Sequence, residues 1–253
     1  MEEQPPSPPM SLPMRMLNVL AAPGEVYEEV RRSGPCTANW LAPALLLIVV
    51  SWVASAILFS QPNIQQQLRD ITGQAVEKQV QKMKLPPEQA EKARDAAERY
   101  GAIGTKISMY AGPPVAGLVT PFFWGLILWG VARLFLKTPL TYMKAVEVVG
   151  LAAMISVLDA IVRTLLALAM GNLFASPSLA LLVRHFDPQS PTHSLLAMVN
   201  IMTFWLLAVR SVGLSRLTGV TFVRAAAWVF GIRAAYTGFL IGVGALVNAV
   251  FNR

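Results

Sequence analysis

The run Leu41 to Phe59, LAPALLLIVVSWVASAILF, carries no ionisable side chain across nineteen residues, and this excludes most of what the chain could fold into. A helix rises about 1.5 Å per residue, so roughly 20 apolar residues cross the approximately 30 Å hydrocarbon layer of a bilayer. No water there answers a backbone N–H or C=O, and only a helix closes those bonds within one segment. The run is therefore predicted to be a membrane span. Apolar character returns four more times, so the predicted fold class is all-α. It is a polytopic helical membrane protein with five transmembrane helices, at about 41–59, 115–135, 145–170, 195–214 and 226–250, and an extramembrane helical hairpin at 61–106 between the first two.

Composition agrees, since 14% of residues are charged and 55% hydrophobic, where a soluble domain carries about 25% charged residues. The net charge of +7 would point to nucleic acid in a soluble chain. Here the basic residues gather at the ends of apolar runs, where lipid headgroups lie, so no nucleic-acid partner is inferred. Cys36 is the one cysteine, which rules out an internal disulfide and a cysteine-built metal site. Some forty residues precede the first apolar run, and the opening MEEQPPSPPM is acidic and proline-rich. The expectation is an uncleaved first span that also serves as the insertion signal.

The chain divides into a cytoplasmic N-terminal segment, 1–40, with a juxtamembrane amphipathic helix, and a membrane domain, 41–250. Orientation follows lysine and arginine in short loops. With the amino terminus inside, the inner segments hold Arg15, Arg31, Arg32, Arg133, Lys137, Lys144, Arg210, Arg216 and Arg224, against Arg184 and Arg253 outside. The carboxyl terminus then lies outside. The 61–106 segment is also basic, but acids from Asp70 to Glu98 are mixed into it, and folded extramembrane segments translocate with less regard to charge. Its first half spaces Ile64, Leu68, Ile71 and Ala75 as one face of a helix. Pro86 and Pro87 break that helix, and a second is expected from Glu88.

Ionisable residues inside spans are the functional candidates, because each costs about 2.5 to 3.5 kcal/mol to bury in lipid. Four stand out: Glu147, Asp159, Arg163 and Arg233. Asp159 and Arg163 are four residues apart, on one helix face, and are expected to pair. Arg233 either snorkels inward or meets Glu147 across helices. Asn200, Thr203 and Arg210 share a face of the fourth span and are expected to hydrogen-bond between helices. In the fifth span Gly231, Ala235, Gly238, Gly242, Ala245 and Ala249 form a small-residue stripe with a GxxxG pair, which predicts a close-packed partner, either a span of the same chain or a second copy. His185 and His193 lack zinc-ligand spacing and are expected to be solvated. No catalytic motif, phosphate loop or cofactor signature is present, so no catalytic, cofactor-binding or metal residue is assigned and no enzyme activity or small-molecule substrate is inferred.

The segment MLNVLAAPGEVYEEVRRSGPCTANWLAPALLLIVV resembles the opening of bacterial membrane proteins of the Yip family (Ypt-interacting proteins), where a short proline-containing amphipathic helix precedes the first span. KTPLTYMKAVEVVGLAAMISVLDAIV is similar to the family's inner loop and third span. FWLLAVRSVGLSRLTGVTFVRAAAWVFGIRAAYTGFLIG is similar to its last two spans, with Gly213, Leu214, Ser215, Arg224 and Ala225 at the intervening pattern. The resemblance implies five helical spans, a cytoplasmic amino terminus and a bacterial inner (plasma) membrane location. Eukaryotic members are associated with small-GTPase membrane traffic, and no catalytic residue carries over.

The function expected is thus that of a non-enzymatic integral membrane protein, acting through contacts with membrane lipid and with another membrane protein or itself. The alternative is a small transporter or channel that uses the Asp159/Arg163 pair.

Overall fold

A computed structural model describes residues 9–83, 86–183, 186–187 and 190–251, and among these there is no β-strand. The helices are α1 (Leu12–Ala21), α2 (Pro23–Arg32), α3 (Ala38–Phe59), α4 (Pro62–Met83), α5 (Pro87–Gly130), α6 (Tyr142–Met170), α7 (Pro191–Met198), α8 (Ile201–Thr218) and α9 (Phe222–Phe251). Four stretches are long and apolar enough to cross a membrane: Ala38–Phe59, Pro87–Phe135, Tyr142–Met170 and Phe222–Gly244.

The single amphipathic helix expected before the first span is two helices. Pro23 opens α2 at its first position, and the chain turns at Ala22. Proline there has no N–H to bond backwards, so α1 ends and α2 begins within two residues. The expected second arm of the hairpin and the second span are likewise one continuous helix, α5, of 44 residues. Pro113, Pro114 and Pro121 lie inside it without ending it. Proline at 114 removes the N–H that Tyr110 O would accept in a helix, and Trp52 Nε1 donates to that carbonyl instead, at 3.0 Å. The last turn widens into a π-helix, Val131–Phe135.

The fourth span is also corrected. Leu195 belongs to the short α7, and α8 begins only at Ile201. Asn200 breaks the run: its Oδ1 accepts from the backbone N–H of Met202 at 2.8 Å, and its backbone forms an isolated bridge with Ser178. An asparagine that bonds the backbone two residues on favours a helix start over a helix interior. With Arg210 and Arg216 inside it, α8 is not among the four apolar stretches.

The chain forms two compact units, 1–43 with 120–155 and 203–253, and 44–119 with 156–202. In the first, Val19, Val26, Tyr27 and Val30 of α1 and α2 are buried, as are Val146, Val148, Val149 and Leu151 of α6. Gly150 and Gly213 set the spacing. A Cβ on Gly150 would lie 2.3 Å from Trp40, and one on Gly213 would lie 2.4 Å from Val148, so only glycine permits these approaches. In the second unit α4 runs back along the first part of α5, with Arg94 bonded to Glu77 at 2.9 and 3.0 Å. Its start is tied to the end of α6 by Gln67, which donates to Gly171 O at 2.6 Å and accepts from Leu173 N–H at 3.1 Å. Gly171 has φ +60, a conformation that favours glycine and lets the chain turn away from α6.

Candidate functional site

The first unit holds a connected chain of polar and charged side chains: Glu29, Arg15, Asn39, Glu147 and Lys144. It is assembled from four segments of sequence. Arg15 comes from α1, Glu29 from α2 and Asn39 from the first turn of α3, while Lys144 and Glu147 sit one turn apart at the start of α6. The Glu147 carboxylate is fully buried. Its Oε2 accepts from Asn39 Nδ2 at 2.6 Å, and its Oε1 accepts from the Cys36 backbone N–H at 3.2 Å and meets Lys144 Nζ at 3.1 Å. Lys144 spends its remaining protons on Val30 O at 2.6 Å and Gly34 O at 2.9 Å, the carbonyls at and beyond the end of α2. All three donors of the ammonium are engaged. Arg15 closes the other end, donating to Glu29 Oε1 at 2.6 Å and to Asn39 Oδ1 at 3.3 Å.

Removing two charges from water costs several kcal/mol per ion, and the cost is offset only when the remaining lone pairs and protons find partners. Here they do, apart from Arg15 Nε, which is buried without one. The network fastens α1 and α2 to the beginnings of α3 and α6. Tyr27 adds a further tie, its buried hydroxyl donating to Val148 O at 3.0 Å. Burial pushes this phenol above its ordinary value, with the Arg210 charge opposing, so it stays a neutral donor. Outside the network, Glu28 is bonded by both Arg31 and Arg32, and the Arg31 bond holds its carboxyl below the usual carboxylate range.

Of the four charges read from the sequence, Glu147 is in this network. It does not meet Arg233: its partners are Lys144, Asn39 and Cys36, already at hand across the α3–α6 approach at Gly150. Arg233 is half-buried on α9 with no ion-pair partner among the described residues. Asp159 and Arg163 pair, Arg163 Nε lying 2.9 Å from each carboxylate oxygen. Asn200, Thr203 and Arg210 do not share a face in one helix, since Asn200 lies before α8. Arg210 is buried with its guanidinium over the Trp124 ring at 5.4 Å, and Trp124 meets Tyr236 edge-on. Such a cation–π contact is worth about 2 kcal/mol when desolvated.

Among the described residues, no helix packs closely on the stripe of α9. A Cβ on Gly231, Gly238 or Gly242 would meet nothing within 4 Å, and Ala235 is exposed. The close glycine approaches are made at Gly150 and Gly213 instead, where a helix already packs. The side chains of Ala245 and Ala249 lie outside the described residues, as do Arg184, His185 and Arg253. His193 accepts from the Asp187 backbone N–H at 3.0 Å through Nδ1. Among the described residues no group of three His, Cys, Asp or Glu side chains is placed to hold a metal.

Sequence reasoning missed Lys144 and Asn39 as partners of Glu147, and Arg15 as the partner of Asn39 and Glu29. In the sequence Lys144 reads only as a loop charge that sets orientation. The signal available was its spacing of three from Glu147 at a helix start, which puts both on one face.

The model of the Yip1 domain matches residues 17–245. The chain belongs to the Yip1 domain family. No curated protein and no solved structure matches it. The matched part of this Yip1 domain takes in the buried network from α2 onward, the Asp159–Arg163 pair and most of α9. With several long apolar helices, this Yip1 domain protein is an integral membrane helical protein.

Proposed function

We propose that this Yip1 domain protein is non-enzymatic and acts through contacts with other membrane proteins or with lipid, made by helix faces that its own chain does not cover. One observation carries the reading. The apolar part of α9 is 6% buried, against 61% for α6, so α6 serves the protein's own core and α9 faces outward. Helices in lipid associate by close packing, and an uncovered apolar helix with exposed glycines is a surface for doing so. The inward charges favour the same reading, because Glu147 and Lys144 are saturated by fixed partners and Asp159 is closed on Arg163.

The same reading takes α8 as the fourth of five spans, places the amino terminus and residues 1–40 on the cytoplasmic side of a bacterial inner membrane, and puts α4 with the first part of α5 outside. Transport through the Asp159–Arg163 pair is the rival. Reconstitution into liposomes with a panel of ions and small solutes separates the two. No flux above that of empty liposomes is expected; flux that Asp159→Asn abolishes would overturn the proposal.

A further inference from the structure

The turn between α8 and α9 borders a cleft of about 520 Å³ that neither the buried network nor the α9 face uses. Arg216 from α8 and Arg31 from α2 line it together with Glu28, and its apolar wall is Val212, Val220 and Phe222. Arg216 is exposed and has no acidic partner among the described residues. Its guanidinium lies against Gly24, where a Cβ would sit 3.3 Å from Nη2. Glu28 already serves both Arg31 and Arg32, so the carboxylate that lines the cleft is engaged. The charged lining, Arg31 and Arg216 against Glu28, leaves one positive charge in excess. The turn itself is held: Gly219 has φ +75 and donates to Ser215 O at 2.8 Å, while Ser215 Oγ donates to Val220 O at 2.7 Å.

Guanidinium groups match phosphate oxygens by paired hydrogen bonds, and excess positive charge beside an apolar wall suits a molecule with an anionic head and a hydrocarbon tail. The cleft lies at the start of α9, a helix long and apolar enough to cross a membrane, and headgroups gather at such ends. We propose that it binds the phosphate of an anionic membrane lipid, with Arg216 as the principal ligand and Val212 and Phe222 against the start of the acyl chain. This deepens the proposed function, resting on its lipid arm.

The test uses the full-length protein in mild detergent, titrated with short-chain phosphatidylglycerol, short-chain phosphatidylcholine or inorganic phosphate, and read by native mass spectrometry and thermal unfolding. Phosphatidylglycerol should be retained and raise the unfolding temperature saturably, with phosphatidylcholine far weaker. Arg216→Gln should weaken the lipid effect by about tenfold or more, the cost of a lost charge-assisted bond. Arg216→Lys, which keeps the charge but loses the planar fork, should fall between, and Arg224→Gln, a basic residue that does not line the cleft, should behave as wild type. Equal retention by Arg216→Gln and wild type, or full protection by inorganic phosphate with none from the lipid, would overturn the site. Solute flux in liposomes with lipid binding intact would instead sink the proposed function and leave this site standing.

Discussion

Glu147 shows how a residue that looks expensive in a sequence becomes a fastening in a structure. Its carboxylate is fully buried, yet Asn39, Cys36 and Lys144 supply its hydrogen bonds, and Lys144 uses its other protons on the carbonyls of Val30 and Gly34. Removing one member strands the other. Glu147→Gln should lower stability in detergent by about 3 to 5 kcal/mol, the cost of leaving a buried charge uncompensated, whereas adding Lys144→Met should recover part of it. Denaturant unfolding of the two variants measures this. Equal losses in the single and double variants would show that the two charges are not coupled. Spacing made the Asp159–Arg163 pair legible, because four residues along a helix return to the same face. It left Glu147 without its partners, because Asn39 and Cys36 stand more than a hundred residues away in sequence.

At the scale of elements, proline and glycine acted according to what surrounds them. Pro23 ends one helix and starts the next at a surface turn, whereas Pro114 sits inside α5 because Trp52 bonds the carbonyl it frees. Glycine spacing pointed to α9 as the close-packed helix. Yet Gly150 and Gly213, without a GxxxG pattern around them, make the tight approaches, because a helix was packed there and only a hydrogen atom fitted. Gly238→Leu with Gly242→Leu should therefore leave the monomer as resistant to unfolding as wild type, since among the described residues a Cβ at either site would meet nothing within 4 Å beyond its own helix. If α9 is the contact face, cross-linking within native membranes should fall in that variant. Unchanged cross-linking would leave the face to lipid alone, and loss of monomer stability would show an internal partner after all.

At the scale of the whole molecule, orientation rests on the charges of short loops, and it can be checked directly. With the amino terminus inside, a cysteine at Gln74 on α4, in a Cys36→Ser background, should react with an impermeant thiol reagent added to intact cells or spheroplasts. Labelling only after the membrane is breached would reverse the topology. A reversed topology would also move the Arg216 cleft to the opposite leaflet, so this measurement fixes which lipid surface the cleft meets.

The sequence by itself determined the class of the protein, because apolar length is a local property and lipid accepts only structures that satisfy their own backbone. It also determined the Asp159–Arg163 pair, for which one helical turn is enough. Tertiary structure decided which charges are buried together, where α8 begins, and that α5 continues through its prolines. Each of these depends on a partner far along the chain: Asn39 for Glu147, Ser178 for Asn200, Trp52 for Tyr110. The exposure of the α9 stripe belongs with them, since small residues at helical spacing permit a close neighbour and only the packing of the rest of the chain settles whether one is present.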